Sequence, residues 1–194
     1  MKRLNVATLS FGHFHGYSYT RAVKEIPQAN LVAVADGDAG RAKEAGQRFA
    51  VEHYLDYHDV LRRDDVDAVI VTSENTKHAQ MAVEAAEAKK HILCEKPMAT
   101  TLRDADRMMS AAQRAGITFQ MCFVMRYHAA SRLIKDVVDE GQIGKIVAIT
   151  GTNHLKWLEQ LYTGFFIRPE LSGGGSVMDH TVHLSDMMRW YTKS

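Results

Sequence analysis

Residues 4–16 read LNVATLSFGHFHG, and this stretch decides the fold class. Leu4–Leu9 is a short apolar run of the kind found in buried strands, and a turn containing Gly12 follows it directly. Over residues 15–26 the apolar side chains return at helical spacing, and Pro27 ends that pattern. The sequence therefore opens with a strand, a tight turn and a helix.

The same alternation of strand and helix patterns continues through the first 122 residues. It predicts an α/β fold with a Rossmann-type doubly wound parallel sheet, for which the usual strand order is 3-2-1-4-5-6. Ligands of such sheets bind at the carboxyl ends of the strands. We therefore predict one domain over residues 1–122. Its other predicted segments are strands at 31–35, 68–72, 91–94 and 117–122 and helices at 39–49, 76–88 and 102–115.

The pattern changes after Cys122, and residues 123–194 form a second predicted region. It starts with a helix at 126–140 and a glycine-containing turn, and it closes with a helix at 177–191. Between these helices we predict a strand at 145–152 and an irregular stretch rich in aromatic residues. The region is interpreted as the beginning of an α+β substrate domain.

Charge and cysteine content narrow the function classes. The 194 residues include 24 Lys+Arg and 23 Asp+Glu, so the chain lacks the broad basic field that binds nucleic acid, and we expect no such partner. No apolar run approaches the roughly 18 residues that span a bilayer, so we expect no membrane partner. The first residues do not read as a signal peptide, and Cys94 and Cys122 fit neither a CxxC pattern nor a disulfide framework. We expect a cytoplasmic protein.

The turn after the first strand is a candidate phosphate-binding loop, because it leads straight into a helix N-terminus. Of the three glycines in a GxGxxG fingerprint, only Gly12 is present, since Ser10 and His15 occupy the other two positions. An ordinary strand-to-helix turn is therefore an open alternative. Serine at position 10 costs about 1–2 kcal/mol only if its φ is positive. We expect His13 and His15 to pack around the loop and to cap its backbone.

Asp36 supports a dinucleotide site. It follows the second predicted strand, 24 positions after Gly12, where a carboxylate can accept both hydrogen bonds from an adenosine ribose. The same carboxylate repels a 2′-phosphate, and the next residues are Gly37 and Asp38, with no arginine directly after them. The sequence thus favours NAD over NADP as cofactor. Alternatively Asp36 caps the helix that begins at residue 39, although Asp38 is better placed for that role.

The sequence resembles the Gfo/Idh/MocA family of sugar and polyol oxidoreductases over essentially its whole length. No single motif carries this resemblance, but the order and spacing of several motifs are specific to the family. They are the loop at residues 12–15, Asp36, Asn75 with His78, Glu95-Lys96-Pro97, Arg126, the turn at residues 141–145, and Gly173-Gly174-Gly175 leading to Asp179 and His183.

The resemblance implies that Lys96 hydrogen-bonds the reacting hydroxyl or carbonyl and that Glu95 orients the cofactor. It also implies that Asp179 and His183 are the catalytic aspartate and histidine. These roles agree with the chemistry, because an ammonium stabilises an oxygen that develops negative charge and a histidine near neutrality can accept a hydroxyl proton. Asp179 and His183 are four residues apart and so share a helix face. The alternatives are a surface ion pair between Glu95 and Lys96, and an exposed pair or a core histidine on the last helix.

The remaining candidate residues complete the expected site. Asn75 can alternatively cap the helix from residue 76. We predict no metal site, because His180 and His183 supply only two nitrogens and no HExxH glutamate accompanies them. The cofactor-binding candidates are Phe11, Gly12, His13, Phe14, His15, Asp36, Ser73, Asn75, His78, Glu95, Lys96 and Arg126. The substrate-binding candidates are Lys96, His154, Trp157, Asp179 and His183.

Together these features predict an NAD-dependent oxidoreductase that transfers a hydride between nicotinamide and a secondary hydroxyl of a sugar or cyclic polyol. A non-catalytic dinucleotide-binding regulator and an NAD-dependent glycosidase are the alternatives. Members of the family extend far beyond the equivalent of Ser194 and build an open sheet that often forms the oligomer contact. We therefore expect a fragment or truncated product, and a homo-oligomer in the full-length form.

Overall fold

The computed structural model describes residues 3–154 and 163–194 and divides the chain into two compact units, Met1–Met121 and Cys122–Ser194. No helix in the described ranges has the length and apolar character that crossing a bilayer requires.

The first unit is a six-stranded sheet in which every strand pair is parallel, with the order β3-β2-β1-β4-β5-β6. This confirms the predicted Rossmann-type sheet and its strand order. The strands are β1 (Leu4–Leu9), β2 (Ala29–Ala35), β3 (Glu52–Tyr54), β4 (Ala68–Val71), β5 (His91–Cys94) and β6 (Phe119–Met121). The helices are α1 (His15–Glu25), α2 (Ala39–Phe49), α3 (Tyr57–Leu61), α4 (His78–Glu87) and α5 (Leu102–Ala115), and a 3₁₀ turn at Asn75–Lys77 precedes α4.

The sheet is buried on both faces. Successive side chains of a strand point to opposite faces, so Val6 joins one buried apolar cluster whereas Ala7 and Leu9 join the other. In β4, Ile70 and Val71 divide in the same way. Burial on both faces explains why the strands read as continuous apolar runs instead of alternating ones.

Two short elements, β3 and α3, were not predicted. Glu52 and His53 of β3 are exposed and only Tyr54 is half-buried, so the strand has no apolar run to reveal it. It forms because its backbone pairs with Ala33–Ala35 of β2 at the edge of the sheet. Exposed polar side chains are common on such edge strands, where they discourage pairing with other chains.

Helix ends follow the capping rules that the sequence suggested. The side chain of Asp38 accepts a hydrogen bond from the Arg41 backbone N–H at the start of α2, at 2.9 Å. The prediction that Asp38 caps this helix is confirmed. Gly116 ends α5 in the left-handed conformation with φ of 67°, as glycine commonly does at that position.

Ser10 adopts the conformation that usually requires glycine, with φ of 71°. Its hydroxyl offsets part of the resulting strain. Ser10 Oγ accepts a hydrogen bond from the Gly12 N–H at 3.1 Å and lies 3.4 Å from Asp36 Oδ2. The serine therefore takes the place of the first fingerprint glycine and adds polar contacts that glycine cannot make.

The described elements of the second unit are all helical. They are a 3₁₀ turn at Val124–Tyr127, α6 (Ala129–Asp139), a 3₁₀ turn at Phe165–Ile167, α7 (Pro169–Ser172) and α8 (Ser176–Thr192). The predicted strand at residues 145–152 was wrong, because these residues form no sheet ladder. A strand needs a partner to pair its backbone groups, and the described residues of this unit provide none.

Candidate functional site

A cavity of about 480 Å³ opens at the carboxyl ends of β1, β2 and β4. β1 and β4 are adjacent in the sheet, so this is the point where the strand order reverses and where doubly wound sheets bind their ligands. The volume lies within the range of small-molecule pockets. The polar and charged residues in its lining are Ser10, Asp36, Asp38, Arg41, Asp56, Tyr57, Ser73, Glu74 and Lys77.

Asp36 organises one side of this cavity and is only 3% exposed. Its Oδ2 accepts a hydrogen bond from the Phe11 N–H at 2.6 Å, and its Oδ1 accepts one from the Asp38 N–H at 2.8 Å. The carboxylate thus ties the loop after β1 to the start of α2. It does not cap α2, so that alternative is excluded.

Arg41 forms a bidentate ion pair with Asp36, and the sequence analysis missed it. Arg41 Nε lies 3.0 Å from Asp36 Oδ2, and Arg41 Nη2 lies 2.8 Å from Asp36 Oδ1. The hydrogen bond to Asp36 raises the pKa of Arg41. The sequence analysis considered only the residues directly after Asp36. Arg41 lies in the first turn of α2, and its side chain reaches Asp36 because helical side chains point back toward the helix N-terminus.

Gly16 is the glycine that allows close packing of α1, and the sequence analysis missed this as well. A Cβ on Gly16 would lie 2.9 Å from Thr72 Oγ1 and 3.2 Å from the carbonyl oxygen of Ser10. The third glycine of the fingerprint normally serves this close helix-to-strand contact. Here it stands one position later than expected, so His15 is free of that steric demand.

His13, His15 and Glu95 form a cluster beside this loop, in which His13 and Glu95 are buried and His15 is half-buried, with one potential ligand atom from each within 4.8 Å of the others. His15 Nδ1 lies 3.3 Å from Glu95 Oε2, and His13 Nδ1 accepts a hydrogen bond from the His15 N–H at 3.0 Å. Because His13 Nδ1 accepts this hydrogen bond, its lone pair is already engaged by the backbone. The cluster is therefore organised by hydrogen bonds, and His13 caps the backbone as expected.

Glu95 is fully buried, and its Oε1 accepts no hydrogen bond from the described residues. Burial alone raises the pKa of Glu95, but the hydrogen bond from His15 and the nearby charges of His13 and His15 overcome it and lower the pKa to about 2. Glu95 is consequently an ionised carboxylate at neutral pH. A buried acceptor without a partner is costly, so this oxygen fits a ligand that brings its own N–H or O–H donor.

We expect the ionisation of Glu95 to make the free energy of unfolding depend on pH in the acidic range. Its pKa in the folded protein lies below its usual 4.5, so the stabilisation is complete above that pH and is lost as the pH falls toward 2. Between about pH 5 and pH 3 the free energy of unfolding of the wild type should fall by roughly 2 kcal/mol more than that of Glu95→Gln. Urea unfolding at both pH values measures this difference. Glu87→Gln, which changes an exposed glutamate, should keep the wild-type slope, and equal slopes for all three proteins would contradict the prediction.

His78 links the two loops that flank the cluster. Its ring is fully buried, with Nδ1 2.8 Å from the carbonyl oxygen of Pro97 and Nε2 3.1 Å from that of Ser73. Burial lowers the pKa of His78, against the two carbonyls that favour its charged form. Both ring nitrogens face backbone carbonyls, so the side chain positions the two loops, and the predicted contact of His78 with the cofactor stays a prediction.

Lys96 lies in the turn that His78 holds, and the Lys96-Pro97 peptide bond is cis. Lys96 is 3% exposed and the neighbouring Glu95 is fully buried, so the alternative of a surface ion pair is excluded. A buried glutamate and a buried lysine thus stand at consecutive positions directly after β5. A low-dielectric position strengthens the effect of such charges on a reacting group.

The other cofactor candidates of the first unit fall into two groups. Gly12 packs against Glu74, since an added Cβ would lie 3.1 Å from Glu74 Cδ, and Ser73 and Asn75 are buried nearby. The ring of Phe11 packs in the core 4.8 Å from that of Tyr17 and its N–H is bound to Asp36, and its predicted contact with the cofactor stays a prediction. Phe14 is partly exposed at the start of α1, and Asn75 begins the 3₁₀ turn without acting as its cap.

In the second unit, Asp179 and His183 lie one turn apart on α8, as predicted. Asp179 is buried in the first turn, and its Oδ2 lies 3.4 Å from Nε2 of His180. The sequence analysis had weighed His180 only as a metal ligand. His154 is exposed, and Trp157 lies outside the described residues.

Arg126 forms an ion pair within the second unit, and its predicted contact with the cofactor stays a prediction. Its Nε lies 2.8 Å from Asp186 Oδ2, and its Nη2 contacts Asp186 Oδ1 at 2.5 Å. Asp186 is buried, so the pair fixes the turn before α6 to α8 within this unit. No sequence pattern joins two residues 60 positions apart, and so this partner was not foreseen.

The parallel sheet and the cavity at its switch point are the features of a dinucleotide-binding Rossmann domain. Comparison with family profiles agrees. "Oxidoreductase family, NAD-binding Rossmann fold" matches residues 4–123, and "GFO/IDH/MocA C-terminal domain" matches residues 131–194. The chain belongs to the GFO/IDH/MocA family, and its first unit is an NAD-binding Rossmann domain.

Individual relatives support this assignment. The inositol 2-dehydrogenase of Salmonella typhimurium (strain LT2) is 34% identical over 173 residues, which cover 88% of this chain and 49% of that protein. The myo-inositol 2-dehydrogenase of Thermotoga maritima is 30% identical over 188 residues, which cover 96% of this chain and 54% of that protein. A levoglucosan dehydrogenase solved with NADH and levoglucosan is 29% identical with a TM-score of 0.89, covering 98% of this chain and 54% of that one. The chain spans about half the length of the curated relatives it matches.

Proposed function

We propose that this chain carries the cofactor site and part of the substrate domain of an NAD-dependent dehydrogenase. Its reaction transfers a hydride between nicotinamide and a secondary hydroxyl of a sugar or cyclic polyol. The observation that carries the proposal is the buried Glu95-Lys96 pair at the carboxyl end of β5, in the same sheet that presents Asp36 at the end of β2. The relatives named for inositol and levoglucosan support this substrate class.

Different residues of the first unit bind different parts of the cofactor. Asp36 takes the adenosine ribose, and the N-terminus of α1 takes the pyrophosphate. The unpartnered Oε1 of Glu95 accepts a hydrogen bond from the cofactor and orients it. NAD, when bound, supplies the hydride acceptor. Lys96 donates a hydrogen bond to the reacting oxygen and stabilises the negative charge that develops there.

Asp179 and His183 are the proposed substrate residues of the second unit. His183 accepts the hydroxyl proton, and Asp179 orients the substrate or the imidazole. Their spacing of one turn on α8 and the burial of Asp179 support a shared task. His154 and Trp157 are proposed to contact the substrate.

The proposal is tested by a titration followed by a substrate screen. We expect nicotinamide fluorescence to report saturable NADH binding by this chain, with NADPH as the paired comparison. We then expect the full-length form to reduce NAD with a cyclic polyol or an anhydro sugar, for which myo-inositol and levoglucosan are the first compounds to use. No NADH binding by this chain, or no NAD reduction by the full-length form across the screen, would count against the dehydrogenase. Release of a free sugar without net NADH would instead support the glycosidase.

A further inference from the structure

Arg41 is hydrogen-bonded to the Asp36 carboxylate, which is also the expected acceptor for the hydroxyls of the adenosine ribose. Asp36 Oδ2 accepts from the Phe11 N–H and from Arg41 Nε, and Asp36 Oδ1 accepts from the Asp38 N–H and from Arg41 Nη2. Together with the Ser10 hydroxyl, which lies 3.4 Å from Asp36 Oδ2, five donors surround a carboxylate that offers roughly four acceptor positions. Two ribose hydroxyls therefore meet oxygens that are already engaged.

Apart from the Ser10 hydroxyl, which is the most distant donor, only one of these partners is able to move aside. The N–H groups of Phe11 and Asp38 are fixed by the loop after β1 and by the start of α2, and moving them would disrupt the fold. The side chain of Arg41 is 40% exposed, and its long stem can rotate into solvent. When the ribose hydroxyls bind Asp36, the guanidinium must be the group that gives way.

The same guanidinium changes the electrostatic interaction between the cavity and a 2′-phosphate. Asp36 alone repels such a phosphate, but paired with Arg41 its charge is balanced. The fork of an arginine matches phosphate oxygens in bidentate geometry. Among the described residues that line the cavity, Lys77 is the other cation, and it is held 3.0 Å from Glu74 Oε2. Asp38 and Asp56 add further carboxylates, so without Arg41 the lining favours no phosphate.

We infer that Arg41 sets the selectivity of this chain between NAD and NADP. Arg41 competes with the ribose hydroxyls of NAD for Asp36, and it receives the 2′-phosphate of NADP. The ratio of NAD affinity to NADP affinity is consequently smaller than it would be if the Asp36 carboxylate acted without Arg41. The inference rests on the binding of NAD by the first unit.

The test is a fluorescence titration of wild type and variants with NADH and with NADPH. We expect Arg41→Ala to bind NADPH at least about tenfold more weakly, because a charge-assisted bidentate contact is lost. NADH affinity should be unchanged or should rise by up to about threefold, because the competitor for Asp36 is removed. The matched control is Arg48→Ala, which removes a cation from the same helix where the nearest carboxylate, Glu44, lies 3.9 Å away. It should keep the wild-type ratio of the two affinities.

A second variant and a salt series separate selectivity from folding. Arg41→Lys keeps the charge and loses the fork, so its affinity ratio should lie between those of the wild type and Arg41→Ala. Added salt should weaken NADPH binding by the wild type more than by Arg41→Ala. If Arg41→Ala and Arg41→Lys weakened both cofactors by the same factor, Arg41 would be only structural and the inference would be overturned. Absence of NADH binding by the wild type would overturn the cofactor site itself, which is a different result.

Discussion

In the Lys96→Met variant of the full-length form we expect polyol oxidation to fall by about a thousandfold, while NADH affinity stays within about threefold of the wild type. Methionine has a similar length and remains compatible with the buried position of residue 96, but it carries no charge and donates no hydrogen bond. A donor aimed at developing negative charge acts in the transition state and contributes little to binding of the ground state. Loss of turnover without loss of cofactor affinity is the signature of that role.

The measurement is the rate of NAD reduction at saturating NAD with the best substrate from the screen, together with a separate NADH titration. Lys43→Met, which removes an exposed lysine from α2, is the control and should match the wild type in both. A Lys96→Met variant that keeps its turnover would remove Lys96 from the mechanism. Equal losses in turnover and in NADH affinity would make Lys96 a cofactor-binding or structural residue.

The sheet of the first unit was predictable because its central strands are buried on both faces. Runs such as Leu4–Leu9 and Ala68–Val71 read as apolar segments whatever their partners are. Elements held in place by pairing alone were not predictable. β3 has polar, exposed residues and exists through β2, whereas residues 145–152 carry strand-forming residues and find no partner among the described residues.

The candidate site shows a similar division. Asp36 was predicted from its position after a strand, since that position alone places a carboxylate at the switch point. The direction in which a side chain points, and the groups that it contacts, could not be predicted from its position in the sequence. His78 lies near the site, but both of its ring nitrogens face backbone carbonyls, and Arg126 forms an ion pair with Asp186 on another helix. Neither outcome leaves a trace in local sequence, because each depends on contacts made only after folding.

The second large effect is expected at Gly16, where Gly16→Val should lower the free energy of unfolding by about 3 kcal/mol and NADH affinity by at least about 100-fold. An added Cβ would lie 2.9 Å from Thr72 Oγ1, 3.1 Å from Phe11 Cδ1 and 3.2 Å from the Ser10 carbonyl oxygen. Thr72 cannot yield easily, because its hydroxyl donates to that same Ser10 oxygen at 2.7 Å. The first turn of α1 must therefore move away from the sheet.

Displacement of that turn would affect binding as directly as stability, because its backbone N–H groups form the expected pyrophosphate contact. Urea unfolding and NADH titration on the same preparations measure the two effects. Gly175→Val is the matched control, since a Cβ there meets nothing within 4 Å and φ of −94° suits a β-branched residue. If Gly16→Val lost stability but bound NADH normally, the phosphate contact would not depend on the close approach of α1 to β4. If it lost both while Gly175→Val lost neither, then Gly16 performs the packing role of the third fingerprint glycine, one residue later than the motif places it.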